Sequence, residues 1–125
     1  MKFIKVISIS DGNEKDLKLT VDSVKNQIYQ NYKHIIIAKK LSKKFIKKNK
    51  SIKNKFIIGK DSSIYSAMNI GEKLSYDSYT IYLNSGDIFY SNNSLGIINT
   101  ESKTKSNNQF VSVLKYKNII FYPKK

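Results

Sequence analysis

The sequence predicts an α/β fold, a mostly parallel sheet flanked by helices, on three observations. A strand, an amphipathic helix and a second strand follow one another within about 35 residues, which is a βαβ unit, and its crossover is expected to be right-handed. The strands at the start, FIKVISIS and YKHIIIA, are rich in β-branched residues and nearly continuous in their apolar runs. Strands buried on both faces of a parallel sheet read this way. Finally, residues 61–87, DSSIYSAMNIGEKLSYDSYTIYLNSGD, read as a turn, a helix, a buried strand and an acidic turn.

The first strand covers residues 3–10. A loop at Asp11, Gly12 and Asn13 follows, where Asn13 or Asp11 can accept hydrogen bonds from free N–H groups at a helix start, and Glu14 and Asp16 suit the positive end of its dipole. Leu17, Val21, Val24 and Ile28 trace the inner stripe of a helix running to about Gln27. Residues 29–31 turn the chain into a second strand at 32–38. The run KKLSKKFIKKNK, residues 39–50, holds seven lysines and reads as a short surface helix anchored by Leu41 and Phe45, with Ile46 a lesser contact. A third strand is centred on Phe56, Ile57 and Ile58, and Gly59 ends it.

In the next segment Ile64, Ala67, Met68, Gly71 and Leu74 share one face of a helix at about 3.6 residues per turn, and Ser62 or Ser63 can cap its start. A strand at 79–83 follows and ends in Asn84, Ser85, Gly86 and Asp87. Ligands of open α/β sheets bind outside the carboxyl ends of the strands, so a carboxylate at this turn can meet a metal or a phosphate; an ordinary polar turn is the other reading. Residues 92–99 read as a short helix around Leu95 and Ile98. Residues 110–114 and 119–122 read as a final strand pair joined through Lys117 and Asn118.

With 125 residues the chain is expected to be one domain spanning 1–125. A 40% hydrophobic fraction and 15 aromatics argue for a globular protein. The chain contains no cysteine, which excludes disulfides and thiolate metal sites, and the single His34 falls within a strand, a structural position. No apolar run approaches the about 18 residues of a membrane span, and no signal-like core opens the chain, so a cytoplasmic location is expected.

The formal net charge of +14 raises the question of polyanions, but every one of the 23 basic residues is lysine. The missing arginine is the side chain whose planar fork reads guanine and clamps phosphate. The lysines at 39, 40, 43, 44, 47 and 48 are either a solvated face or a patch for a pyrophosphate, an acidic lipid headgroup or an anionic glycan. In the second case the protein would sit peripherally at the inner face of a membrane, touching it through Lys39, Lys40, Lys43, Lys44, Lys47 and Lys48.

Residues 61–87 resemble the family 2 glycosyltransferases, in particular the bacterial polysaccharide-assembly branch typified by colanic acid enzymes. That branch carries a segment close to D-x-G-I-Y-D-A-M-N-x-G and then a strand ending in L-N-S-G-D. The present chain matches at Asp61, Ile64, Tyr65, Ala67, Met68, Asn69 and Gly71, and at Leu83, Asn84, Ser85, Gly86 and Asp87. Upstream, NQIYQN at 26–31 resembles the family's N-Q-T-Y-x-N. The resemblance runs from about residue 5 to residue 90.

It implies a GT-A fold, a Rossmann-like nucleotide-diphospho-sugar sheet, with the C-terminal, acceptor-binding part missing. It also implies a nucleotide-sugar as donor and a glycan or polyprenyl-phosphate-linked acceptor in surface polysaccharide biosynthesis. Asp87 would hold Mg²⁺ or Mn²⁺ against the donor diphosphate, where the ion acts as a Lewis acid on the leaving group. Ser8, Ser10 and Asp11 would lie near the nucleotide base, and Asp61, Asn69, Asn84 and Ser85 would complete the donor site.

Departures from the pattern are specific. Ala38 stands where an Asp usually ends the second strand, Ser63 where Gly is expected, and Ser66 where a second Asp is expected. The segment that holds the acceptor base in the family would follow the end of this chain, so no catalytic residue is assigned. Three readings therefore stand: a glycosyltransferase of the hexosyltransferase type, a non-catalytic domain of the same fold, and a basic module for nucleic acid or anionic membrane.

Overall fold

The computed structural model describes residues 3–59, 78–102 and 121–122. At its centre lies β1 (Phe3–Ser10), hydrogen-bonded on one side to β2 (Tyr32–Ala38) and on the other to β4 (Ser78–Tyr82). The third strand, β3 (Asn54–Ile58), pairs with the far edge of β2, so the order is β3-β2-β1-β4, parallel throughout. Two-sided burial of the apolar runs accounts for this arrangement. Ile4, Val6, Ile7, Ile35 and Ile36 are all fully excluded from water although successive side chains point to opposite faces.

Between the first strands runs α1 (Glu14–Lys25), and α2 (Lys43–Asn49) connects β2 to β3. Asn13 caps α1, its Oδ1 accepting from the Asp16 N–H at 3.0 Å, while Asp11 accepts from the Asn13 N–H at 2.9 Å in a turn of its own. Ser42 caps α2 by accepting from the Phe45 N–H at 3.1 Å. Glu14 joins the two helix starts: its carboxylate accepts from the Ser42 N–H at 2.7 Å and from the Ser42 hydroxyl at 3.1 Å.

Leu17 and Val21 of α1 pack with Ile36, Ala38, Leu41 and Phe45, and Val24 packs with Ile4, Val6 and Ile81. The predicted inner stripe therefore holds at Leu17, Val21 and Val24 and fails at Ile28, which is 65% exposed. The helix ends at Lys25 with Asn26 as its C-cap, so Ile28 falls on the turn beyond it and leaves the helical face. On the opposite sheet face Ile7, Ile35, Ile37 and Ile57 form a third cluster.

After β4 the chain turns back along α1 through β5 (Ile88–Phe89) into α3 (Ser94–Ser102), whose Leu95 and Ile98 are buried as expected. Polar side chains on and just beyond α1 hold this returning segment. Thr20 and Ser23 of α1, and Gln27 immediately past its C-cap, bond to its backbone. Ser23 Oγ accepts from the Phe89 N–H at 2.7 Å. Gln27 donates to the Ser91 carbonyl at 2.7 Å and accepts from the Leu95 N–H at 3.0 Å.

Gln27 is buried, and replacing it by Leu takes the acceptor from the buried Leu95 N–H, while the Ser91 carbonyl keeps the Ser94 hydroxyl as a donor. A loss of about 1–3 kcal/mol in urea unfolding is expected for Gln27→Leu, and an unchanged midpoint would show that this contact does not hold the segment.

The last strand, β6 (Phe121–Tyr122), pairs antiparallel with β5, Phe121 opposite Phe89 and Tyr122 opposite Ile88. A partner for it at 110–114 was the expectation from sequence; those residues lie outside the described ones, as does the predicted helix at 64–74.

Candidate functional site

In β3-β2-β1-β4 the chain first moves to one side of β1 and then returns to the other, so the order reverses at β1. At such a switch point the connections leave the carboxyl ends of neighbouring strands in opposite directions and open a crevice between them. A cleft of about 380 Å³ lies there, lined by Ile9, Ser10, Asp11, Asp16, Asn84 and Ser85. This volume falls within the range of small-molecule sites. Concavities of similar size, one between α1 and α2 and one on α3, are not formed by strand ends.

The cleft walls are built by local chemistry at both strand ends. Ser10 Oγ accepts from the Gly12 N–H at 3.0 Å and bends the chain out of β1. Gly12 has φ of +102°, a backbone conformation that favours glycine, and its α-carbon faces the Lys40 carbonyl at a distance where a Cβ would make contact at 3.4 Å. On the other wall, the Leu83 and Ser85 N–H groups donate to the Ile7 and Ile9 carbonyls at 2.9 and 3.1 Å, carrying the pairing with β1 past the end of β4.

The Asp87 N–H then donates to the Asn84 carbonyl at 2.9 Å and closes a turn over residues 84–87. Gly86, φ +96°, occupies the third position of that turn, where a type II turn demands positive φ. Thr20, fully buried on α1, clamps it by donating to the Asp87 carbonyl at 2.7 Å and accepting from the Gly86 N–H at 2.8 Å.

Of the residues singled out in the sequence, Ser10, Asp11, Asn84 and Ser85 meet in this cleft. Ser85 Oγ is buried there with no hydrogen-bond partner, a hydroxyl whose bonding capacity is unused. Ser8 lies elsewhere: it is fully buried one layer below, its Oγ 2.7 Å from His34 Nε2. Asp87 sits on the clamped turn beyond the cleft lining. Asp61 and Asn69 lie outside the described residues.

Two lining residues carried no signal as site residues in the sequence. Asp16 reads there only as a helix-start acid, and Ile9, 41% exposed, only as part of a strand.

Among the described residues the cleft lining holds two carboxylates and no lysine. That surface suits hydroxyl and N–H donors, and a diphosphate approaching it needs a cation to offset the repulsion. No three His, Asp or Glu side chains cluster closely enough among the described residues to cage a metal. The single carboxylate of the half-buried Asp87, on the clamped turn, is compatible with an Mg²⁺-type ion, which keeps several waters and takes further ligands from substrate phosphates.

His34 is buried, and desolvation lowers its pKa from 6.5 to about 3, so the ring is a neutral interior hydrogen-bonding group. Ala38, where an acid was sought, is buried against Leu17, Val21 and Phe45 and presents nothing to a ligand.

The described part of the chain thus defines an α/β protein with a four-stranded parallel sheet, helices packed on it, and a cleft at the switch point. No helix among the described residues is long and apolar enough to cross a membrane. Neither a family model nor a curated protein matches the chain.

Proposed function

We propose that the protein is a GT-A domain of the family 2 glycosyltransferase type that binds a nucleotide-sugar in the cleft between the carboxyl ends of β1 and β4. The observation that carries this reading is the convergence of Ser10, Asp11, Asn84 and Ser85, drawn from two separated stretches of sequence, on one crevice at the switch point. Asp11 and Asp16 supply acceptors for the ribose hydroxyls or base N–H groups, and Ser85 Oγ supplies an unused hydroxyl. Asp87, held in place through Thr20, is the carboxylate that would hold Mg²⁺ or Mn²⁺. When bound, the ion offsets charge developing on the leaving nucleoside diphosphate.

Calorimetric titration with UDP, GDP and their sugars in the presence of Mn²⁺ tests this. Saturable binding is expected, and Asp87→Ala is expected to weaken it by at least about tenfold while leaving the unfolding midpoint within error. Absence of saturation, or affinity indifferent to Asp87, would remove the donor-site assignment.

A second reading, a domain that binds donor without transferring sugar, is supported by the burial of Ala38 in the α1–α2 core, where no acidic ligand stands. Release of free sugar from a bound donor, measured by chromatography, would exclude it.

A further inference from the structure

Two isoleucines stand in water at the end of the sheet opposite the cleft. Ile52, on the turn between α2 and β3, is 92% exposed, and Ile28, on the turn between α1 and β2, is 65% exposed. Single exposed aliphatics are ordinary on protein surfaces. These two belong to adjacent turns that the structure ties together. The Lys53 ammonium donates to the Gln30 carbonyl and lies 5.2 Å from the centre of the Tyr32 ring, and the Lys53 carbonyl accepts from the His34 N–H at 2.8 Å.

The Ile52 turn is itself pinned. Asn54 Oδ1 accepts from the Ser51 N–H at 2.9 Å and its Nδ2 donates to the Asn49 carbonyl at 2.7 Å, so Ile52 is held at the tip instead of folding back.

Charge is arranged around this pair. Lys25 ends α1, Lys47 and Lys48 end α2, and Lys50 and Lys53 flank Ile52. Residues 26–31 and 50–53 contain no Asp or Glu. Asp11, Glu14 and Asp16 lie at the opposite end, where β1 gives way to α1, Asp87 follows the carboxyl end of β4, and Asp22 is paired with Lys18 at 2.8 Å.

Exposed aliphatic side chains ringed by lysines match the cross-section of an anionic bilayer surface. There a branched apolar tip gains by entering the acyl boundary while long lysine stems keep their ammonium groups among the phosphates. We propose that this end of the sheet docks on an anionic phospholipid membrane, with Ile28 and Ile52 inserted and Lys25, Lys47, Lys48, Lys50 and Lys53 in the headgroup layer. A nucleic acid fits the surface less well, since no arginine is present and aliphatic tips neither stack on bases nor bond to phosphates. The docking face differs from one built on Lys39 and Lys40, which follow the carboxyl end of β2. It leaves the cleft open to solvent, and it does not depend on what the cleft binds.

Vesicle co-sedimentation of the full chain tests the proposal, with phosphatidylcholine vesicles and phosphatidylcholine–phosphatidylglycerol vesicles as probes. Binding is expected only to the second kind, weakening as salt rises. The exposed double change Ile28→Ser/Ile52→Ser is expected to lower the partition coefficient by at least about tenfold with an unchanged circular dichroism spectrum. Lys47→Gln/Lys50→Gln is expected to lower it by a similar factor, at about fivefold per lysine, and Lys39→Gln/Lys40→Gln by less than about threefold.

The proposal is overturned if the isoleucine pair changes nothing, if Lys39→Gln/Lys40→Gln has the larger effect, or if the protein ignores both vesicles while binding duplex RNA.

Discussion

Thr20→Val is expected to destabilise the protein by about 2–4 kcal/mol and, where the cleft binds a nucleotide-sugar as proposed, to weaken that binding along with it. The two side chains are nearly equal in volume, so packing against the sheet is preserved and the loss isolates the hydroxyl. That hydroxyl is fully buried and serves both directions at once, donating to the Asp87 carbonyl and accepting from the Gly86 N–H. Valine leaves the buried Gly86 N–H without its Thr20 acceptor and removes the Thr20 donor from the carbonyl of the half-buried Asp87. The turn over residues 84–87 must then shift to find other partners, and Asn84, Ser85 and Asp87 shift with it. Thr20→Ser keeps the hydroxyl and is expected to lose less than about 1.5 kcal/mol, chiefly for its missing methyl. Urea unfolding of the three proteins, with calorimetry on the same samples, separates these effects. A Thr20→Val protein as stable as the parent would mean that the turn is held from elsewhere.

Thr20 also shows what the sequence could and could not reveal. Periodicity located α1 because its apolar stripe of Leu17, Val21 and Val24 faces the sheet, and the same logic placed the strand bounds of β2 at Tyr32 and Ala38. Hydrophobic patterning carries no information about polar residues that bond to a distant segment. Thr20 and Ser23 on α1, and Gln27 just past its end, find their backbone partners only in the returning segment, all more than 60 residues away. Ile28 fails for the converse reason: an apolar residue at the right spacing joins a helical face only if the helix continues, and here it stops at Lys25.

The cleft was legible in part. Asn84 and Ser85 follow from the end of a strand, and Ser10 and Asp11 from the resemblance to the family 2 pattern, whereas Ile9 and Asp16 enter only because the reversal at β1 opens the sheet beside them. Ser8 shows the limit of reading a strand end from sequence. It is two residues from Ser10 and on the same face, yet it is covered by the helical layer and satisfied by His34.

That Ser8–His34 pair leads to the other large expected effect, an acid-labile contribution to stability. Burial lowers the His34 pKa from 6.5 to about 3, and the charged side chains lining the small recess beside it, Lys25 and Lys53, are both cations. The unfolded chain therefore takes up a proton near pH 6.5 that the folded chain accepts only near pH 3. Between those values the unfolded state binds more protons, so this contribution is complete above pH 6.5 and is lost as pH falls toward 3. The limiting slope is about 1.4 kcal/mol per pH unit, or roughly 2 kcal/mol by pH 5. Replacing both partners, Ser8→Ala/His34→Leu, removes the titrating ring without leaving an orphaned hydroxyl. Measured in urea across pH 7 to 4, the unfolding free energy of the parent is expected to fall more steeply than that of the double variant, by roughly 2 kcal/mol between pH 7 and 5, because only the parent must exclude the proton. Curves that stay parallel over that range would show that His34 opens to solvent before the fold does, and the buried imidazole would then not be the source of acid sensitivity.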